Sequence, residues 1–598
     1  MLRQQTKLVK IKTPVFPKGS LKKIEEWMSL VFELDIPDAD NNQKNEIGSL
    51  DGEAFEISRC AQQLINTFLQ FANIPAFYLD KNIHVSAEQT DGNIEVTLPV
   101  PLIEMTRSKP YEIAVASTFR ILSWMARNEV SQQNIQQLYK IVEVKVLAPL
   151  KSFYAGGKST LRVLRVLNEK NIPFMSKGFG TYQLGWGSKS HQLTVTGSEA
   201  DSVIGVQIAQ DKVKSAMLLY SNGLPAPEHV VVNSKESAIN AAKKLGWPIV
   251  VKPIRCDRGE GVVIGINNSE ALSKAYDHAL KFSPRSPVIV EKEVPGICHR
   301  IFITSGQLLY VSKRWPISVI GDGHKKVSQL IASANEKENA KSPWLRTSQY
   351  PNDPLAKKIL KMSGFSMDSV PNKNERIALR PFESNEWGGS SEDVTPALHI
   401  ENLNLAVRAA KIFGLHNAGI DFISPDISVP WHQNGAVINE VNFSPELGAN
   451  SASLACIPAF ISKLVKGDGR IPIDVFVGGD AALKQAKKKH KEQLVLGVKS
   501  CLTTSDLTLY LSEEELKMPF NSLTKRCRAL LMDKEVEGLV VSIQTDEVLY
   551  GGNPVDQINS LKMVDRKLTA WKEIKTEISN KNYDALSKVL QDSVINVN

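Results

Sequence analysis

The sequence predicts a multidomain α/β and α+β fold, on three observations. The chain has 598 residues, several times the usual domain size, so it needs two or more hydrophobic cores. Nearly uniform apolar runs, WPIVVKPI at 247–254 and PVIVEKEV at 287–294, read as buried strands, and helix-spaced segments alternate with them from about residue 160. Hydrophobic residues make up 42% of the chain, with 36 Gly and 30 Pro, which excludes the disordered and fibrous classes.

Residues 7–12 suit a strand, and 21–35 (LKKIEEWMSLVFELD) repeat apolar positions at helical spacing. Residues 35–53 carry Pro, Asp and Asn in loop-forming combinations. Helical patterning returns at 56–72 and 111–128, with a β run at 94–100. Residues 1–160 therefore read as an α+β domain without a chemical signature of its own, suited to packing or substrate anchoring.

In the second region, 161–465, helices are expected at the end of 204–220, at 234–245 and at 268–280. IFITSGQLLYVSKR at 301–314 reads as two strands about a Ser305–Gly306 turn. A helix follows around 324–340, then a Pro-, Ser-, Asn- and Lys-rich surface excursion over 341–376. The core is expected to resume at RIALRPF, run through a helix at 401–413, and close with AGIDFIS and AVINEVNF. The third region, 466–598, opens with GRIPIDVFVGGDAALKQA, a strand, glycine turn and helix, and later holds RCRALLMD and GLVVSIQ, both strand-like.

Lys plus Arg number 72 against 64 Asp plus Glu, and the longest lysine block is Lys487 to Lys489, so no nucleic-acid surface is expected. The six cysteines, at 60, 256, 298, 456, 501 and 527, are too scattered for a zinc ribbon or a disulfide framework and suit a reducing interior. No apolar run reaches the ~18–20 residues that span a bilayer, and MLRQQTKLVKIKTPVF lacks a signal-like apolar segment. The expected location is the cytoplasm, with no membrane partner.

Glu440 and Asn442 stand two apart on one expected strand and share a face, and Asp421 begins another. If those strands are neighbours, three oxygen ligands converge, a hard set suited to Mg2+ with phosphate oxygens; a polar strand end is the alternative. Lys252 leaves a buried strand just before Pro253, and Arg258 to Gly261 can lay backbone N–H groups on phosphate oxygens. Lys212 follows Asp211. Either lysine alone is an ordinary surface charge; together with the acidic set they suggest a triphosphate.

With these residues in place, the chain resembles the ATP-grasp carboxylate–amine ligases, and within them the amino half of cyanophycin synthetase. The wider resemblance rests on DKVKSAMLLYSNGLPAPEHV at 211–230, VVKPIRCDRGEGV at 250–262, VIVEKEVPG at 288–296, and AGIDFISPDI with INEVNFSPELG. The narrower rests on GKST at 157–160, LGWGS at 184–188, ICHRIFI at 297–303, VSKRWPISVIGDGHKKVSQLI at 311–331 and IALRPFESNEWGGSSEDVTP at 377–396. It covers roughly residues 1–465.

The resemblance implies an ATP-grasp fold preceded by an α+β domain and followed by a small Mur-ligase-like remnant. It implies that Lys212 and Lys252 hold ATP phosphates, that Arg258, Gly259 and Gly261 belong to a mobile lid, and that Glu291 with its following backbone meets the adenine. Asp421, Glu440 and Asn442 would carry magnesium. His299, Arg300, Arg314 and Arg380 would serve an acidic amino acid or peptide and its acyl phosphate. The implied activity is ATP-dependent amide formation; the alternative is a catalytically reduced paralogue that binds ATP or acidic peptide and serves a complete synthetase. A homo-oligomer, or a complex with a full-length paralogue, is the expected assembly.

Three departures stand out. The family has an acid just before its His-Arg pair, where related ligases grip the ribose; here it is Cys298, and a thiol is a poor partner for a sugar hydroxyl. Around 184–193 the family is richer in arginine than LGWGSKSHQL. After residue 465 the family continues into an ATP-dependent half that opens with a P-loop, whereas IPIDVFVGGDAALKQA has no GKT or GKS. The tail is therefore expected to be catalytically silent.

Overall fold

The computed structural model describes residues 5–14, 16–34, 52–77, 86–90, 93–102, 107–153, 157–254, 256, 259–284, 286–383, 387–571 and 573–595. Arg258 and most of the loop expected at 35–53 lie outside them. The chain forms two compact units, one made of 1–195 with 461–598 and the other of 196–460. The sequence reading places its domain changes instead at 160/161 and 465/466. Among the described residues no helix is long and apolar enough to cross a membrane.

In the first unit, strand Asn93–Leu102 pairs antiparallel with Gln5–Pro14 on one side and Ser86–Thr90 on the other. Helix Ser20–Phe32 buries Ile24, Trp27, Met28 and Val31, the i, i+3, i+4, i+7 stripe of an amphipathic helix. It packs on helices Gly52–Phe71 and Lys109–Arg127, with Trp27 edge-on to Trp124 at 5.4 Å between ring centroids.

The same unit holds a five-stranded sheet in the order Thr508–Tyr510, Ser500–Thr503, Gly538–Ile543, Ile473–Val477, Ser560–Met563. Its strands are parallel except for the outermost Thr508–Tyr510. GLVVSIQ supplies a central strand as expected, but RCRALLMD does not form one. Residues Leu523–Leu531 are a helix, its first turn capped by the Ser522 hydroxyl, with Leu523, Arg526, Cys527, Leu530 and Leu531 buried. The apolar run conceals a helical period in which Arg526 is inward, donating to Phe520 O and to Thr508 Oγ1.

Met175 and Trp186 join the core of this sheet, and a buried polar knot secures them. Arg470 Nη2 lies 2.5 Å from Asp556 Oδ2, Trp186 Nε1 donates to Asp556 Oδ1 at 2.9 Å, and Arg470 Nη1 donates to Asn171 O at 2.7 Å. The Arg470 and Asp556 side chains are only 6% and 3% exposed, so removing Asp556 leaves a buried guanidinium with only Asn171 and the more distant Asp468, at 3.5 Å. Asp556→Ala should lower unfolding stability by about 3–5 kcal/mol in urea titration; a loss below about 1 kcal/mol would mean that solvent already reaches the pair.

The second unit contains two antiparallel sheets. The smaller runs Val263–Ile266, Ile249–Pro253, Val288–Lys292, His229–Val232, and the larger runs Ser390–Asp393, Gln307–Trp315, Ile297–Thr304, Asn417–Ser424, Val437–Phe443. Helix Ile400–Ile412 presents Leu405, Ala406, Ala409 and Ala410 to the face of the larger sheet bearing Ile301, Ile303, Ile420 and Phe422. Alternation then sends Arg300 and Asp421 to the other face.

Residues 341–376 are not a bare surface excursion. Helix Pro354–Met362, capped by Asp353, turns Ala356, Ile359 and Leu360 inward, and Ala356 and Leu360 share a small core with Ile317, Val319, Val327, Ile331, Ile377 and Leu379. RIALRPF belongs here too: Arg376–Ala378 pairs with Ser318–Ile320 in a separate two-stranded ribbon and does not resume the larger sheet. Ile377 and Leu379, two apart, give it one apolar face too short for a sheet interior.

Candidate active site

Strand pairing brings Arg300 opposite Asp421, and Asp421 opposite Glu440, on three adjacent strands. A register shift after Asp421, which leaves Phe422 opposite Ile438, keeps both carboxylates in the row. Arg300 grips Asp421 with two hydrogen bonds, Nε to Oδ1 and Nη2 to Oδ2, the second at 2.8 Å. Asn442 Nδ2 donates to Asp421 Oδ2 at 3.1 Å, and Arg314 Nη1 stands 3.7 Å from the same oxygen.

Burial opposes the charge of Asp421, but Arg300, then Arg314 and the Asn442 hydrogen bond, outweigh it and hold its pKa below the usual carboxylate range. Glu440 moves the opposite way: burial and then the Asp421 charge raise its pKa, with Lys212, Arg300 and Lys252 countering. Glu440 faces the Asp421 carboxylate with an amide beside it, and a divalent cation with oxygen preference would ease that repulsion. Among the described residues no cluster of three or more His, Cys, Asp or Glu forms a cage; two carboxylates and an amide suit Mg2+, which keeps water and phosphate oxygens in its shell.

The smaller sheet faces this row with its own charges. Lys252 Nζ lies 2.6 Å from Glu291 Oε2, a diagonal pair on one face with side chains 13% and 11% exposed. Lys212 Nζ donates to Cys256 O at 2.6 Å, so its ammonium meets the backbone of the glycine segment. Gly259 and Gly261 have φ of 78° and 71°, and a Cβ would fall 2.6 Å from the Phe382 ring at Gly259 and 2.6 Å from Pro253 Cγ at Gly261. Only glycine meets both demands. After Glu291, the Lys292 N–H donates to Glu228 O at 2.8 Å.

Two expected residues make no hydrogen bond or ion pair with Asp421 among the described residues. Arg380 donates through Nη1 and Nη2 to Asp353 at 3.1 and 2.7 Å and to Leu379 O at 3.1 Å; its ion-pair partner is Asp353, not Asp421. His299, next to Arg300 on the strand, points to the opposite face and is 2% exposed. Burial lowers its pKa, and Nδ1 has no hydrogen-bond partner among the described residues. The residues that sequence reasoning missed are Asp353 and Phe382; the second lies inside the quoted motif IALRPFESNEWGG, the only sequence signal it carries.

Paired sheets, a glycine segment with lysines, and a row of carboxylates define an ATP-grasp chain, and residues 211–300 match the ATP-binding domain family of the carbamoyl-phosphate synthase L chain. The chain is homologous to the cyanophycin synthetases: it is 29% identical to that of Geminocystis herdmanii over 416 residues, 68% of this chain and 48% of the relative. With the Nostoc sp. enzyme it shares 30% over 414 residues, 67% of this chain and 46% of the relative. It spans about half the length of these relatives. The glutathione biosynthesis bifunctional protein of Pasteurella multocida is 30% identical over 257 residues, 41% of this chain and 33% of the relative. Among solved structures, the bifunctional glutathione synthetase from Pasteurella multocida aligns at TM-score 0.40 and 20% identity, covering 68% of this chain and 69% of that one.

Proposed function

We propose that this chain is an ATP- and Mg2+-dependent carboxylate–amine ligase that makes an amide through an acyl phosphate, acting on aspartate or an acidic peptide. The observation that carries the reading is the Arg300–Asp421–Glu440 row with Lys212 and Lys252 in electrostatic reach of Glu440. The lysines hold phosphate oxygens, and Arg300 keeps Asp421 ionised and oriented. Arg314, beside the same carboxylate, is placed to receive the substrate carboxylate or its acyl phosphate. Mg2+ at Asp421, Glu440 and Asn442, when bound, screens the charge that develops as the γ-phosphoryl group moves. The homologous cyanophycin synthetases support amino acids or peptides as substrates, and the scattered cysteines suit a reducing, cytoplasmic setting.

The second reading, a catalytically reduced partner of a complete synthetase, is favoured by the tail. There the glycine turn at Gly478 and Gly479 is filled from within: Gly479 N–H donates to Asp565 Oδ1 at 2.9 Å, and Lys567 N–H to the same oxygen at 2.8 Å. A carboxylate in that cradle excludes phosphate. The ligase reading therefore expects a single nucleotide site, and the second reading, which binds ATP or acidic peptide, expects no more than one. Calorimetry with a non-hydrolysable ATP analogue and Mg2+ should give one site per chain, lost in Lys252→Ala; a second site dependent on residues 466–598 would overturn the assignment.

A further inference from the structure

Helix Asp480–Val495 packs on strands Ile473–Val477, Ser500–Thr503 and Gly538–Ile543 of the five-stranded sheet, and a line of polar side chains pins its C-terminal half. His490, 1% exposed, lies with Nε2 2.8 Å from Ser512 O and Nδ1 3.0 Å from Ser500 Oγ. The Ser500 hydroxyl is 2.6 Å from Gln493 Oε1, and Gln493 Nε2 is 2.9 Å from Asp474 Oδ2. His490 and Gln493 stand three apart on one helix face, so a single turn of helix is tied to two strands and to the backbone that follows Thr508–Tyr510.

These contacts need one hydrogen more than the ordinary ionisation states supply. A carbonyl only accepts, so the ring must carry its proton on Nε2 to meet Ser512 O. A neutral ring then leaves Nδ1 as an acceptor, which takes the Ser500 hydroxyl hydrogen and leaves none for Gln493 Oε1. Turning the amide over so that it donates to Ser500 sets Oε1 against Asp474 Oδ2. A neutral imidazole with an ionised carboxylate therefore always places two acceptors face to face in a buried site, with the cost of a hydrogen bond left unmade. A proton on Nδ1 removes the conflict: the ring donates to Ser500, the hydroxyl to Gln493 and the amide to Asp474.

The surrounding charges place that proton on the ring. Lys489 Nζ stands 3.7 Å from Asp474 Oδ2, which favours an ionised carboxylate. The other charges nearby are matched among themselves: Lys491 with Glu513 at 2.9 Å, Lys488 with Glu492 at 3.9 Å, and Lys499 with Glu535, while Glu537 accepts the Lys499 N–H at 3.1 Å. Strand Gly538–Ile543 brings no ionisable side chain. The Cys501 thiol, in the core on the other face of the sheet, is pushed up to about 12 by burial and stays neutral.

We propose that this relay stores one proton on His490, as an imidazolium tied to the Asp474 carboxylate through Ser500 and Gln493, and that release of the proton as pH rises loosens helix Asp480–Val495 from the sheet. The folded chain then holds the proton more tightly than the unfolded chain does. The stabilisation is fully present below the ordinary imidazole value of about 6.5 and is lost as pH rises through the value at which the folded ring lets go.

The test uses the full chain labelled with nitrogen-15 at its 10 histidines; the ring signals lost in His490→Gln are those of His490. Near pH 7 the wild type should show at this position the matched pair of protonated ring nitrogens of an imidazolium. Asp474→Asn should show a neutral ring with its hydrogen on Nε2, because an amide at 474 donates to Gln493 Oε1, the reversed Gln493 amide to Ser500, and the hydroxyl to Nδ1. Amide exchange across Asp480–Val495, read by mass spectrometry and corrected for the intrinsic effect of pH, gives a second readout. Wild-type protection should fall by up to about 10-fold per pH unit once the proton leaves, while that of Asp474→Asn stays level from about pH 6.5 to 8.5. A neutral His490 in the wild type near pH 7, or an equal loss of protection in both proteins, would overturn the proposal. The wild-type spectrum decides the question even if Asp474→Asn fails to fold.

Discussion

Glu440→Gln should leave the fold intact and reduce amide formation more than 10-fold, because a neutral amide keeps the shape of the side chain and removes the charge that meets the metal. The mechanism predicts a loss in kcat of roughly 10-fold or more if metal-assisted phosphoryl transfer limits the rate. Asp421 already stands opposite this residue, and burial together with Asp421 raises the Glu440 pKa. Neutralising Glu440 therefore relieves repulsion in the ligand-free protein, and the variant should melt no lower than the wild type. Product formation followed by mass spectrometry, with melting measured alongside, checks both halves. A folded variant with unchanged turnover would remove Glu440 from the chemistry.

Lys252→Ala should abolish all ATP-dependent amide formation, while Asp480→Ala should change little. Lys252 is a nearly enclosed ammonium, paired with Glu291 and within reach of Glu440; its removal takes the ion-pair partner from Glu291 and a positive charge from the phosphate path. Asp480 follows a glycine turn already occupied by the Asp565 carboxylate, where phosphate has no room. The chain is accordingly expected not to attach free arginine to an aspartate side chain by a second ATP-dependent step. Intact-mass and fragmentation analysis separates the outcomes: ligation surviving Lys252→Ala, or arginine on a side-chain carboxylate, would reveal an active second site.

Much of the site was legible because its residues occupy strands whose period is two. The spacing of Glu440 and Asn442, and of Lys252 in a run otherwise apolar, required only that alternation. Alternation also separates His299 from Arg300, although the pair stands together in the motif. The partner of Arg380 was not legible for a different reason: a guanidinium carries no record of its partner, and Asp353, 27 positions away, pairs with it only because helix Pro354–Met362 folds back over a small core. Local apolarity likewise made RCRALLMD look like a strand, where the neighbouring sheet selects a helix with Leu523, Cys527 and Leu530 inward.

The sequence by itself determined the elements whose signals are local and periodic: the uniform buried strands around Lys252 and Glu291, the capped helices, the glycines at 259 and 261, and the types of charged residue from which a phosphate and metal site is made. Only the tertiary structure decided which charges meet. Register set Arg300, Asp421 and Glu440 in one row, and chain return brought Asp565 to Gly479. The physical reason is range: hydrophobic period and turn preference act within a few residues, whereas the desolvation and pairing of a buried charge depend on groups tens to hundreds of positions away that approach only when strands pair and cores close.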